Sequence, residues 1–228
     1  MRMAAGLASE VRFPSASGAG TVRGILLVPD SAPSAGIVLT HGRSGDMRDP
    51  FLRRMASASA ESGVAALRIN FQYVEERGRA SRDLSREEDD LRGGLRFLRK
   101  ELGASPIFVA GRSMGARVCA RASSDPEVRG VIALGYPLHP KFRPEVRNPP
   151  EWPLIVKPVL LVQGDQDPFG DLARLQEELA RLPEAHTFVV IRDAGHSFEP
   201  RGAKRDTFPE VFAAVIEWIR DALARENQ

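Results

Sequence analysis

Two rhythms of apolar residues alternate along this chain. Short runs rich in Val, Ile and Leu give way to longer stretches in which apolar side chains return every three or four residues. The first is the signature of a buried strand and the second of a helix with one apolar face. Residues 22–28 and 37–40 read as strands separated by a turn-forming Pro-Asp-Ser-Ala-Pro-Ser stretch, and this first part of the sheet is expected to be antiparallel. A helix over about 51–62 is stopped by Gly63, and a strand over 64–71 follows with Ala65, Leu67 and Ile69 on one side. Ser85 to Glu88 fits a helix capping box, after which Leu91, Leu95, Leu98 and Leu102 repeat at helical spacing until Gly103.

The same alternation continues to the end. Strands are expected at 107–110, 130–134, 158–162 and 187–191, and helices at 116–122 and 172–182, with a last helix carrying Phe212, Val215, Ile216, Ile219 and Leu223 on one face. Strands alternating with helices predict an α/β fold, a mostly parallel sheet with helices on both faces. At 228 residues and 43% hydrophobic content, the chain is expected to form a single domain over 1–228. Between the strands at 130–134 and 158–162 stand Pro137, Pro140, Pro144, Pro149, Pro150, Pro153 and Pro158, with Trp152 among them. So proline-rich a segment reads as a rigid loop too short for a separate lid domain, which leaves a site beneath it open.

Composition narrows the function classes. No run approaches the 18 apolar residues of a membrane span, and the first 14 residues carry Arg2, Glu10 and Arg12 with no apolar block of signal-peptide length. A soluble, cytoplasmic protein without membrane contact is expected. The 32 basic and 30 acidic residues are scattered, which argues against a nucleic-acid partner; an oligomer is not indicated. The single cysteine, Cys119, allows no intrachain disulfide and reads as a buried packing residue. The four histidines have no metal-ligand spacing, so neither a metal nor another cofactor is called for.

The most informative segment is the apolar run at 107–110 that ends in Gly111-Arg112-Ser113-Met114-Gly115 and passes straight into helix-forming residues. A strand turning directly into a helix brings the two backbones almost into contact, so the flanks of the corner must be small, as Gly111 and Gly115 are, and the corner side chain is presented above the sheet. Ser113 is that corner. A hydroxyl needs a neighbouring base, itself oriented by a third group. Of His41, His139, His186 and His196, only His196 follows the last strand on a loop at the ligand-binding edge of such a sheet. His186 starts a strand, and Pro137 and Pro140 mark His139 as a loop-packing residue. For the acid, Asp167 is favoured over Asp165, because it stands further past its strand and is stiffened by Pro168; Asp193 is the outside choice. The order Ser…Asp…His completes a triad of Ser113, Asp167 and His196. Oxyanion donors are assigned to the backbone N–H groups of Met114 and of Arg43, with His41 and Gly42 structural in the loop that carries Arg43. The Arg43 and Arg112 side chains flank this site as candidate contacts for an acidic substrate portion, or as solvated arginines.

His41-Gly42, Gly111-Arg112-Ser113-Met114-Gly115, Gly164-Asp165-Gln166-Asp167 and Gly195-His196 together resemble, in order and over most of the chain, the motifs of the α/β-hydrolase superfamily. More narrowly, Leu39-Thr40-His41-Gly42, the elbow through Arg117, and Gly135-Tyr136-Pro137-Leu138-His139-Pro140 resemble the small lidless group related to dienelactone hydrolases. That group includes testis-expressed protein 30 and the hydrolase-like domain of an NSL chromatin-complex subunit. The resemblance implies an eight-stranded central sheet and a Ser-Asp-His site acting on a small-molecule ester or thioester. Two departures stand out: Arg43-Ser44 replaces small residues in the oxyanion loop, and Ser113 stands where dienelactone hydrolases proper have cysteine. The alternatives are a non-catalytic interaction module, or acyltransferase or peptidase chemistry on the same fold.

Overall fold

The computed structural model describes residues 8–103, 105–143, 145–146, 151–199 and 205–226. Pro144, Pro149 and Pro150 of the proline-rich segment, and residues 1–7, lie outside them. Eight strands form one sheet: β1 (Ser9–Pro14), β2 (Thr21–Leu27), β3 (Ala35–Thr40), β4 (Val64–Asn70), β5 (Ile107–Arg112), β6 (Val128–Leu134), β7 (Val159–Gly164) and β8 (His186–Ile191). Their spatial order is β1-β2-β4-β3-β5-β6-β7-β8. β2 pairs antiparallel with both β1 and β4, and every other pairing is parallel. The helices are α1 (Pro50–Glu61), the single turn α2 (Gln72–Glu75), α3 (Ser85–Leu102), α4 (Met114–Arg121), α5 (Leu172–Leu179) and α6 (Phe208–Glu226).

The α/β architecture expected from the alternating pattern is thus observed, and burial explains it. β3, β4 and β7 are buried at every position, as strands covered on both faces must be. Alternate side chains feed two cores. Val38, Leu67, Ile69, Ile107 and Val109 join Leu91, Leu95 and Leu98 of α3 and Val118 of α4 on one face. Ile37, Leu39, Phe108 and Ala110 join Leu52 and Met55 of α1 and Val211, Val215 and Ile219 of α6 on the other. No helix among the described residues is long and apolar enough to cross a membrane.

Two elements differ from the sequence expectation. β1 was not anticipated: only Phe13 of its six residues is buried, so an edge strand lying against a single neighbour carries too little apolar signal. The capping box at Ser85 is not formed. Ser85 is already the first helical residue, Leu84 takes the cap position in the left-handed region at φ 60°, and Asp83 Oδ1 accepts from the Ser85 N–H at 3.2 Å. The aspartate two residues upstream therefore satisfies the orphan donor that the box would have served.

The strand order positions the site. From β3 the chain crosses through α1 to β4 on one side of β3, and later returns to place β5 on the other. Between the carboxyl ends of β3 and β5 the winding reverses, and open α/β sheets bind ligands in that crevice. The loop 41–46 and the corner at Ser113 both open there.

Candidate active site

Ser113 sits between β5 and α4 with φ 54° and ψ −117°, a conformation that costs a non-glycine residue free energy and persists only where its surroundings enforce it. The flanking residues show what enforces it. A Cβ on Gly111 would overlap the carbonyl group of Gly115, and one on Gly115 would lie 2.6 Å from Thr40 Oγ1 and 2.8 Å from the carbonyl oxygens of Thr40 and His41. Helix and strands touch at both glycines, so neither tolerates a side chain. The Ser113 N–H is anchored to Leu134 O at 2.9 Å.

His196 stands on the loop after β8, with Nε2 2.8 Å from Ser113 Oγ and Nδ1 2.7 Å from Asp167 Oδ2. The Asp167 carboxylate is fully buried and held twice more: Oδ2 accepts from Gln163 Nε2 at 2.6 Å, and Oδ1 from the Phe169 N–H at 2.8 Å. Phe169 also lies against the imidazole, ring centroids 4.4 Å apart. Gly135, at φ 62°, lets this loop come close, since a Cβ there would meet His196 O at 2.8 Å. The structure therefore brings Ser113, His196 and Asp167 into one hydrogen-bonded line. It leaves the alternatives aside: Asp165 is half-buried with Oδ1 unpartnered, and Asp193 is exposed. Sequence reasoning missed Gln163; a polar residue one place before Gly164 at the end of a wholly apolar strand was the available signal.

Histidines 41, 139 and 186 have other places. His41 is fully buried; Nδ1 bonds to Gly42 O at 2.7 Å and Nε2 accepts from the Phe71 N–H at 3.2 Å, a pairing that only the neutral ring can make. Burial pushes its pKa below the ordinary 6.5. A base whose folded pKa is depressed contributes stability that is present above 6.5 and lost as the pH falls, because the unfolded chain takes up a proton that the folded chain refuses. Asp90, raised to about 6 by burial, runs the other way, its contribution being lost as the pH rises toward 6. We expect the unfolding free energy of wild type minus that of His41→Asn, both from urea titrations, to shrink between pH 7.5 and 5.5, with a slope of at most about 1.4 kcal/mol per pH unit. His139 ties Pro140 O to the Asp171 N–H in the packing role expected of it, and His186 opens β8, exposed.

An open cleft of about 500 Å³ lies over Ser113 and His196, lined also by Gly42, Arg43, Met114 and Phe169. The Met114 N–H opens α4, where helical donors have no intrahelical partner. The Gly42–Arg43 peptide has its carbonyl pinned by His41 Nδ1 and by the Gly45 N–H at 3.1 Å. In a trans peptide the Arg43 N–H then points the opposite way. Gly42 approaches so closely that a Cβ on it would stand 3.4 Å from Ser113 Cβ. Three arginines line the cleft, and two are engaged. Arg112 Nη1 donates to Asp49 Oδ2 at 2.8 Å and Nη2 to Ser197 Oγ, so its candidate role toward substrate gives way to a structural one, bridging the start of α1 to the His196 loop. Arg117 makes a two-pronged pair with buried Glu151, which also accepts from Tyr136 Oη at 2.6 Å. This cluster, absent from the sequence reading, fastens the proline-rich segment to α4. Arg43 is exposed, with no side-chain partner among the described residues.

Residues 33–224 match the model of the alpha/beta hydrolase domain. This chain belongs to the alpha/beta hydrolase family. Among solved structures, this alpha/beta hydrolase is similar to a dienelactone hydrolase from Anabaena variabilis, at 22% identity and TM-score 0.74, with 94% of this chain and 98% of that one covered. It is also similar to XC6422 from Xanthomonas campestris, an α/β serine hydrolase without lid (21%, TM-score 0.71, 94% of each chain). A third is Est1E from Butyrivibrio proteoclasticus (18%, TM-score 0.75, 95% and 100%). At these identities the likeness is one of fold.

Proposed function

We propose that this alpha/beta hydrolase is a serine hydrolase that cleaves a small carboxylic ester or thioester. The observation that carries the reading is the unbroken hydrogen-bond line from Ser113 Oγ through His196 to Asp167 at the floor of an open cleft. In this reading Ser113 Oγ attacks the carbonyl carbon as His196 Nε2 takes its proton, and Asp167 stabilises the imidazolium through Nδ1. The N–H groups of Arg43 and Met114 hold the oxyanion. The tetrahedral adduct collapses by expelling the alcohol or thiol, which leaves with the proton from His196. A water, deprotonated by the same imidazole, then releases the acid and restores Ser113. A neighbour solved with ferulic acid bound, Est1E, is compatible with a carboxylic product on this fold.

Arg43 gives the substrate side a sign. With Arg112 and Arg117 neutralised in place, it is the one arginine of the cleft lining with no acidic partner among the described residues, and we assign it contact with an acidic portion of the substrate. The narrower likeness to testis-expressed protein 30 and the NSL-subunit domain rests on three short stretches alone and leaves this chemistry unchanged.

A panel of short-chain p-nitrophenyl esters, neutral and carboxylate-bearing, tests the reading. Wild type is expected to turn over both, and Ser113→Ala neither. Arg43→Gln should lose about tenfold in kcat/KM on the anionic esters only, the size of one partly exposed charge contact. Equal turnover by wild type and Ser113→Ala would refute the assignment of the nucleophile.

A further inference from the structure

The Arg43 N–H has a weakness that the rest of the site lacks. Ser113, His196 and Asp167 stand on strand ends with buried neighbours, but the loop that carries Arg43 has the side chains of both Arg43 and Ser44 exposed. The His41 side chain holds the peptide before Arg43, but no side chain of the loop holds the peptide after it. That second anchor comes from the short segment that follows β4. Tyr73, on α2 and only 6% exposed, donates its Oη hydrogen to Arg43 O at 2.8 Å. Its ring packs edge-on to His41, centroids 6.0 Å apart, and stacks on Phe71 at 6.2 Å. The segment is itself clamped: the Phe71 N–H bonds to His41 Nε2, and the Gln72 backbone N–H and side-chain amide both donate to Asp90 of α3, at 2.8 and 2.5 Å. Arg43 therefore lies between two fixed peptide planes. The one before it is held at Gly42 O by His41 and Gly45, and the one after it at Arg43 O by Tyr73. Fixing both planes fixes φ and ψ of the residue between them, and with them the direction of its N–H.

We propose that Tyr73 is a positioning residue for the oxyanion site: through the carbonyl of Arg43 it holds the Arg43 N–H aimed at the place where negative charge develops on the substrate. Preorganised donors act because they need no reorientation as that charge forms, and a donor free to swing loses this advantage in the transition state while binding the neutral ester as before. Burial pushes the Tyr73 phenol up to about 12, so it stays a donor throughout the working range. The proposal rests on the hydrolase reading above.

Tyr73→Phe removes one hydroxyl and keeps the ring packing. On a short neutral p-nitrophenyl ester, kcat is expected to fall on the order of tenfold with KM within twofold, less than the loss of a whole oxyanion donor. A trifluoromethyl ketone, whose adduct with Ser113 carries the oxyanion, should lose affinity by the same factor. Amide hydrogen exchange by mass spectrometry should speed up in the peptide spanning 42–46 and not in the peptide carrying His196. Unchanged kcat and ketone affinity would overturn the proposal and leave the hydrolase reading standing, as would a fall in kcat with ketone affinity intact. A wild-type protein that neither turns over esters nor forms an adduct at Ser113 would overturn both.

Discussion

Asp167→Asn should lower ester turnover by about 10⁴-fold, while Asp165→Asn, two residues away, should stay within a few-fold of wild type. Asp167 Oδ2 receives the His196 Nδ1–H at 2.7 Å, which leaves Nε2 unprotonated and facing the Ser113 hydroxyl. An asparagine keeps the size of the side chain, but its amide can present N–H to Nδ1, which reverses the tautomer and points a proton from Nε2 at the nucleophile. The backbone N–H of Phe169, which donates to the other carboxylate oxygen at 2.8 Å, favours this orientation, since it keeps the asparagine carbonyl at Oδ1 and turns the NH2 group toward the imidazole. Asp165 has no such partner among the described residues, and its Oδ1 makes no hydrogen bond there. Its replacement tests whether proximity in sequence or the hydrogen bond itself matters, and the two variants compared by steady-state kinetics at pH 7.5 settle the point. A larger loss in Asp165→Asn would overturn the assignment of the acid.

The second large effect is on folding and site together. Gly111→Ala should destabilise the protein by about 3 kcal/mol or more and lower activity even at temperatures where the variant stays folded. The added methyl group has no flexible side chain to displace; it meets the backbone of Gly115 and the Ala116 nitrogen. Relief requires α4 to move off β5, which carries Ser113 away from His196. Gly78→Ala is the control, because a Cβ there meets only Tyr73 O, at an ordinary 3.7 Å; its stability should change by no more than about 0.5 kcal/mol. Urea unfolding followed by circular dichroism distinguishes the two. Equal midpoints for Gly111→Ala and wild type would show that the elbow is looser than its contacts indicate.

What could be read from the sequence and what could not divides along the range of the interactions. That Ser113, Asp167 and His196 meet was legible because each follows a strand that can be recognised locally, and a parallel sheet gathers the carboxyl ends of its strands at one edge. Gly111 and Gly115 were legible for the same reason, as a strand and a helix joined without a loop leave no room at the corner. The state of the three arginines was not legible. Arg112 is neutralised by Asp49 and further held by the Ser197 hydroxyl, 63 and 85 residues away, and Arg117 is neutralised by Glu151, 34 residues away. No periodicity links such partners. Tyr73 was missed because it lies in a single turn of helix too short to announce itself, and its partner is a backbone carbonyl, which any sequence supplies. The edge strand β1 and the left-handed cap at Leu84 escaped for a different reason, since local apolar content in the first case and cap propensity in the second pointed elsewhere and tertiary packing prevailed.

If the fold makes the Ser113 hydroxyl nucleophilic, as the proposed hydrolase reading requires, intact-mass analysis after exposure to a fluorophosphonate detects it. Wild type is expected to gain one adduct, mapped to Ser113, with none in Ser113→Ala and strongly slowed labelling in His196→Ala. A folded wild-type protein that gains no adduct, or one whose adduct persists in Ser113→Ala, would contradict that reading.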